Sequence, residues 1–534
     1  MEPVFRPVFK TGIRRLNAAV AGSIPASSAM NTELRTLPAI DKILSMAKVT
    51  NLISEYGLPL TKFAAQSSVE LFRKQILEGG KAPTQTALLS EIEAAVKRMG
   101  SPSLKAVING TGVVLHTNLG RAPLGEHLFE EVKGCLTGYS NLELDLETGQ
   151  RGDRYHHATH LLKFITGAEE LLIVNNNAAA LIFILHAFSK GRECVVSRGE
   201  LVEIGGSFRV PDIMESSGAI MKEVGSTNKT NLLDYKKAIY VNTAILCKIH
   251  RSNFIQKGFT QEVSVAELAQ LGAEHHILTL YDMGSGLIRN YGLNGNGGLN
   301  GISDLNGNGG LNGISGLNGL NGEPSVKEAI ESGVDLVCFS ADKLMGSCQA
   351  GIIAGKRSYI EALKKHPMLR ALRVCKITIA ILEASARHYL DEKRLFTQNV
   401  LFYTLRREAA EHKSLADYLS NQLRAKGIES SVICSEGQYG GGAMPDRTIP
   451  SFSVVLSSPK GQQGQKEQKG QKGARFAKEL HIALLGANKP ILTNIIKGAV
   501  HINMLCIEEN QKDSVVEIIS EVYEALHHRN GGSH

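Results

Sequence analysis

Lys343 is where this chain offers a nucleophile. An apolar run of strand type, Val334 to Phe339, ends in Ser340-Ala341-Asp342-Lys343 ahead of a glycine-dotted turn, delivering an amine to the carboxyl end of a buried strand. Open α/β sheets keep their ligands at that edge. Burial and neighbouring cations lower a lysine's pKa and free the amine to attack a carbonyl, for which pyridoxal phosphate is the usual partner. Alone, Lys343 reads as a strand-end lysine whose stem lies along apolar surface. Two further groups change that. The run Ile277 to Tyr281 closes on Asp282 and a Gly-Ser-Gly turn, and a carboxylate is what a pyridinium nitrogen requires. Leu171 to Val174 breaks at Asn175-Asn176-Asn177 before the alanine-rich start of a helix at Ala178, where backbone N–H groups can cradle a phosphate. As a turn aspartate and an ordinary helix cap, neither would need a cofactor. Cradle, acid and lysine in chain order, each at a strand end, point together to a pyridoxal enzyme.

The elements that must hold these residues follow from periodicity. Strands at Cys194–Ser197, Ala219–Val224 and Ala244–Ile249 alternate with helical stretches, so the sheet is expected to be mostly parallel in an α/β fold. Helical spacing in Ile40, Ile43, Leu44 and Ala47, and in Leu88, Ile92, Ala95 and Val96, predicts a helical N-terminal domain over 31–105 with breaks at Gly79-Gly80 and Pro83. A large domain is expected over 106–413 and a small α+β domain over 414–534. Two polar loops, 139–154 and 225–230, have the composition of site linings. Arg370 and Arg373, three apart, would share a helix face and clamp a tetrahedral anion.

Composition bounds the rest. The 534 residues are 43% apolar, enough for a large ordered core, and no apolar run reaches the ~20 residues of a membrane span. Eight scattered cysteines without a C-x-x-C pair read as reduced, cytosolic thiols, with Cys348, five residues past the lysine, expected to stand near the cofactor. Of the net charge of +7, residues 1–30 carry +3 and residues 459–473 another +3, leaving the remainder near neutral. Residues 1–30 are expected to be a disordered leader or an extension before a true start at Met30. The Leu-Asn-Gly repeats of 293–322 and the Gly-Gln-Lys stretch 459–473 are expected to be disordered surface insertions, since neither can bury enough apolar area to offset its ordering entropy.

Asn109-Gly110-Thr111-Gly112, Asn118-Leu119-Gly120-Arg121-Ala122-Pro123-Leu124, Ile173 to Ala180, Ser197 to Gly206, and Asp342-Lys343-Leu344 with Gln349-Ala350-Gly351 resemble bacterial selenocysteine synthase, L-seryl-tRNA(Sec) selenium transferase, over roughly residues 36–458. The resemblance implies a fold-type-I pyridoxal phosphate enzyme of the cytoplasm. Its reaction converts L-seryl-tRNA(Sec) to L-selenocysteinyl-tRNA(Sec) with selenophosphate, through loss of the Cα proton and β-hydroxyl to a dehydroalanyl ester and selenium addition at Cβ. It further implies that Lys343 holds the cofactor, Asp282 partners its ring nitrogen, and Asn176, Asn177, Ala178 and Ser340 cradle its phosphate. Arg121, Arg370 and Arg373 match arginines around the selenophosphate, the N-terminal domain would grip the tRNA, and the chain would assemble as a homo-oligomer, a decamer in bacteria. Neither a metal nor a membrane is expected to take part. The chain has Ala341 and Ser347-Cys348 where the family commonly has Gly and Gly-Pro, and no arginine between Arg475 and Arg529, where one is expected after Pro490. An aminoacyl ester lacks the free α-carboxylate such an arginine would bind. Two other readings remain: a related pyridoxal ammonia-lyase acting on a phosphorylated amino-sugar acid, and a tRNA-binding scaffold without catalysis.

Overall fold

A computed structural model of the chain describes residues 33–203, 209–290, 317, 319–457 and 466–531. The leader 1–30 and the repeats before residue 317 lie outside them. The chain divides after Ala106 into two compact units. The first is helical: Ile40–Leu44, Ala47–Tyr56, Leu58–Leu77 and Gln85–Gly100. Leu88, Ile92, Ala95 and Val96 form one buried stripe on the last of these, and Thr84 caps it by accepting from the Ala87 N–H at 3.2 Å.

The second unit opens with β1 (Ile108–Asn109) and β2 (Val113–Leu115). Its central sheet contains β3 (Glu170–Val174), β4 (Glu193–Ser197), β5 (Ile220–Val224), β6 (Thr243–Ile249), β7 (Leu278–Gly284), β8 (Leu336–Ser340) and β9 (Gly351–Gly355). They run in the order β3-β9-β8-β7-β6-β4-β5, with β9 antiparallel to both neighbours and the other pairs parallel. Every residue of β3, β6, β8 and β9 is buried, as strands covered on both faces must be, which is why they read as continuous apolar runs. The helix Asn177–Ser189 contributes Leu181, Phe183, Ile184 and Leu185 to the same core.

The C-terminal strands β10 (Ser430–Gly440), β11 (Ala443–Leu456), β12 (Ile491–Leu492), β13 (Asn494–Ile496) and β14 (Ala499–Asn503) corrected one expected boundary. β2 closes the edge of the sheet β13-β14-β11-β10-β2, and β1 pairs with β12. Residues 108–115, assigned by sequence to the large domain, therefore belong with the C-terminal sheet; their glycine-bent apolar run carries no signal of which sheet it joins. The segment that lacks the expected arginine has a structural task here, for Asn494 Nδ2 donates to the Thr111 carbonyl at 2.8 Å and Thr493 Oγ1 bonds His481 at 2.8 Å.

Both expected insertions are corrected at their C-terminal ends. Leu317 and Leu320 are buried in the main core, and Arg447 donates to the carbonyls of Gly319 and Asn321. Leucines spaced three apart can be drawn inward even from a glycine-rich repeat. In the second insertion, residues 466–473 begin the helix Lys466–Leu485, which buries Ala477, Leu480 and Leu484. Gln, Lys and Glu favour helix, and the buried end anchors turns that its glycines would otherwise weaken.

Candidate active site

Lys343, Asp282 and the helix start meet in one cavity of about 300 Å3, whose lining includes Arg121, Asn176, Asn177, Ala178, Asp282, Ser340 and Lys343. Lys343 is fixed by its turn: Ala341 N–H donates to the Ala350 carbonyl at 3.0 Å, Ser347 N–H to Ala341 at 3.0 Å, and Leu344 N–H to Ser285 at 2.9 Å. Ser347 Oγ donates to Ser385 at 2.8 Å, so the small polar residue that stands for glycine holds the turn. Cys348 is not among the residues that line the cavity; its thiol faces the Thr378 carbonyl at 3.8 Å and packs in a side cluster with Leu128 and Ala384.

Lys343 is 5% exposed, and its Nζ makes no hydrogen bond or ion pair among the described residues. Burial first, and then the Arg121 guanidinium, hold its amine below the usual lysine range, while Asp342 and Asp282 pull the other way. Arg121 itself pairs with Asp342 at 2.6 Å and sits at φ +65°, a left-handed conformation that costs a residue other than glycine about 1 kcal/mol or more. Backbone bonds from Arg121 N–H to His116 at 3.0 Å and from Ala122 N–H to Asp342 at 3.2 Å hold it there. Replacing Arg121 with glutamine removes one neighbouring cation and frees Asp342, and both changes favour the ammonium form. The Lys343 amine is therefore expected to titrate at higher pH in Arg121→Gln, measured in the cofactor-free protein as an alkaline shift in the pH dependence of Lys343 acylation.

Asp282 lies within β7, 3% exposed, and the register of β7 on β8 slips between Asp282 and Gly284. Such a bulge re-aims side chains beside active sites. Its Oδ1 accepts from Asn177 Nδ2 at 2.7 Å and faces the Cys338 thiol at 3.7 Å. Burial pushes the Asp282 carboxyl up, and the Asn177 bond and the Lys343 charge only partly offset it.

At the helix start, Asn176 caps its own helix by accepting from Ala179 N–H at 2.9 Å, which leaves the first-turn N–H groups of Asn177 and Ala178 without helix partners. The two asparagine amides are thus engaged with the helix and with Asp282, and the donors left free at the helix start are backbone groups. Gly351 allows this arrangement, since a Cβ there would lie 2.1 Å from the Asn176 carbonyl oxygen and 2.9 Å from Asn177 N. Gly351→Ala is expected to cost about 1–3 kcal/mol of stability and to weaken cofactor binding by displacing the cradle, read from thermal melts with and without cofactor.

Arg370 and Arg373 do not line this cavity. The helix Leu369–Leu372 ends before Arg373, whose backbone is extended and bridges Val174 at the end of β3. The shared helix face expected from their spacing is absent because a four-residue helix ahead of an extended segment cannot carry an i,i+3 pair. The Arg373 guanidinium lies 3.6 Å from Glu143, which also binds Arg151 at 3.0 Å and Arg154, and those cations hold the Glu143 carboxyl down. The polar loop 139–154 therefore organises Arg373 and lines a separate cavity. His250, Ser252 and Gln349 also line the cavity that holds Lys343 and were missed by sequence reasoning. Position would have found His250, the first residue past β6 at the ligand-bearing edge; Ser252 gave no signal. Nε2 of His250 stands 3.2 Å from the buried Glu323 Oε1, outside hydrogen-bond geometry.

A buried amine, a buried carboxylate with a donor behind it, free N–H groups at a helix start and an orphaned Asn177 Oδ1 suit a phosphorylated aromatic aldehyde, so the residues present fit pyridoxal phosphate. Fold and site together define a fold-type-I pyridoxal-phosphate enzyme. The family model described as "SelA: L-seryl-tRNA selenium transferase" matches residues 107–297 and 291–508, and the chain belongs to that family. It is 37% identical to the L-seryl-tRNA(Sec) selenium transferase of Wolinella succinogenes, across 92% of this chain and 100% of that protein. It is 41% identical to that of Geobacter sulfurreducens across 79% of this chain and 87% of that protein. The match runs to residue 508, past the point near 458 where the motifs fade to the eye. Among solved structures, a D-glucosaminate-6-phosphate ammonia-lyase superposes with a TM-score of 0.53 at 18% identity, covering 80% of this chain and 98% of that one; this likeness is of fold. Membership makes the chain a pyridoxal-phosphate-dependent transferase that installs selenium on L-seryl-tRNA(Sec). None of the helices among the described residues is long and apolar enough to cross a membrane.

Proposed function

We propose that the 300 Å3 cavity is where seryl-tRNA(Sec) loses its β-hydroxyl and gains selenium, with selenophosphate as the donor; the convergence of Lys343, Asp282 and the helix start on that one cavity carries the reading. When bound, pyridoxal phosphate supplies an aldehyde for the amine and a ring that draws electrons from the serine Cα. Lys343 holds the cofactor, then takes the Cα proton on Nζ and passes a proton to the departing hydroxyl. Its lowered pKa suits both tasks, because a neutral amine is the base and its conjugate acid the donor. Asp282, steadied by Asn177, would be the carboxylate that holds a proton on the cofactor's ring nitrogen. Backbone N–H groups of Asn177 and Ala178 would hold the phosphate, with Asn176 ordering the turn and Ser340 offering a hydroxyl.

Arg121 is the selenophosphate ligand we assign first, since it reaches the cavity and its pairing with Asp342 can yield to a stronger anion. Arg370 and Arg373 join it in the family's pattern. The helical unit before Ala106 grips the tRNA, and the working assembly is a homo-oligomer, a decamer by resemblance, in the cytoplasm. Incubation with seryl-tRNA(Sec), with and without selenophosphate, tests the whole reading. A dehydroalanyl ester without the donor and a selenocysteinyl ester with it are expected, whereas turnover of free amino acids but not of the charged tRNA would refute it.

A further inference from the structure

Beside the cofactor cavity lies a second one, of about 360 Å3, and the two share Ile249 and His250 as a common wall. Its lining comes mostly from the loop that leaves β6, including Arg251, Phe254, Ile255 and Gln256, with Lys248 and Glu262 at its base. We propose that this cavity receives the 3′-terminal nucleoside of the charged tRNA, with the base against Phe254 and Ile255 and the backbone toward Arg251. The inference rests on the reading of the first cavity as the site of selenium transfer and names the subsite that presents the substrate to it.

Three observations carry it. The first is reach: the seryl group is esterified to the terminal ribose, so that nucleoside must lie a few bonds from the reacting Cα. A cavity sharing a wall with the reaction chamber satisfies this, and its size falls within the roughly 300–1,000 Å3 of small-ligand sites. The second is surface chemistry. Phe254 and Ile255, adjacent in sequence, are 39% and 42% exposed, and Phe259 farther along the loop is 86% exposed with the Lys229 ammonium 5.6 Å from its ring. Exposed apolar surface flanked by cations is what unpaired bases stack upon, whatever their sequence.

The third is preorganisation. Arg251 donates to Gln256 Oε1 and to Glu262 Oε2, each at 3.0 Å, and Asn253 Nδ2 donates to the Glu203 carbonyl at 2.7 Å. At the base, Lys248 is held by Glu200 at 3.0 Å and by Glu262 at 3.4 Å. The loop is thereby clamped in shape before any ligand arrives, and with its Oε1 taken by Arg251 the Gln256 amide keeps its NH2 as a donor for a base. Lys248 is matched by Glu200, which leaves Arg251, shared between Gln256 and Glu262 and part of the lining, as the cation a phosphodiester can draw upon.

The test compares uncharged tRNA(Sec) with the same RNA lacking its terminal adenosine, binding each to the cofactor-loaded enzyme and to its Phe254→Ala variant. The intact enzyme is expected to prefer the complete RNA by roughly tenfold, and the variant to bind both alike. KM for seryl-tRNA(Sec) should rise by about the same factor, with the visible absorbance of the cofactor unchanged. A wild-type ratio near one, a ratio preserved in the variant, or equal weakening of both RNAs overturns the proposal. Phe254→Leu keeps the apolar volume and loses the ring; a ratio that falls in it too supports stacking even where the alanine variant does not fold. Failure of the underlying site reading would register elsewhere, as cofactor absorbance surviving in Lys343→Ala.

Discussion

Lys343→Ala is expected to lose its visible cofactor absorbance and to turn over seryl-tRNA(Sec) at least about 10^3-fold more slowly, while keeping its fold. The amine is both the anchor of the cofactor and the group that moves protons at Cα and the β-hydroxyl. General acid–base catalysis alone is worth about 10^2–10^4, so loss of both tasks leaves little. The fold should survive because the side chain makes no hydrogen bond or ion pair among the described residues, and burial already disfavours its charge. Circular dichroism matching wild type, with absorbance and turnover gone, is the expected outcome. Absorbance that persists would show that another amine holds the cofactor, and the assignment of this cavity would fall with it.

Asp282→Asn should separate activity from stability in opposite directions. The amide keeps the shape of the carboxyl and removes the charge opposite the ring nitrogen, for which a loss of about 10^2–10^3 in kcat is expected, with KM little changed. Stability should move the other way in the cofactor-free protein. Burial raises the Asp282 pKa above its unfolded value, so the folded state binds the proton more tightly. Stability therefore falls as pH rises from the ordinary carboxyl range, near 3.9, through the raised folded value, and the full cost is present above it. Without cofactor, Asp282→Asn is expected to melt higher than wild type at pH 7, and the gap should close as pH drops below about 4. A variant melting lower at pH 7 would mean that Asp282 stabilises the empty fold, contrary to the direction that burial gives. The opposing effects are the signature of a charge kept for chemistry at a cost in stability.

Much of the site was legible because strand ends announce themselves. Lys343, Asp282 and Asn176 each stand where an apolar run stops, and in a parallel sheet such stops gather at one edge, so chain order alone suggested a shared chamber. Lys343, Asp282 and Asn176 line one cavity. The arginines fared differently. Arg121 reaches the cavity through a left-handed turn and backbone bonds to His116, whereas Arg373 is turned to Glu143, and spacing on a presumed helix could not tell these fates apart. Residues 108–115 joined the C-terminal sheet because strands pair with whatever edge is free, over any sequence separation.

What the amino-acid order determined by itself was local and periodic: which segments are strands buried on both faces, where helices begin, and which reactive side chains stand at the junctions. These depend on interactions within a few residues, which a linear string records. Tertiary structure alone decided which way each side chain points. The slipped register that aims Asp282, the close approach of Gly351 to Asn176 that seats the anion cradle, and the wall of Ile249 and His250 shared by two cavities arise between segments scores of residues apart. Close packing selects among such pairings by shape and charge across the core, and no short stretch of sequence contains both halves of the contact.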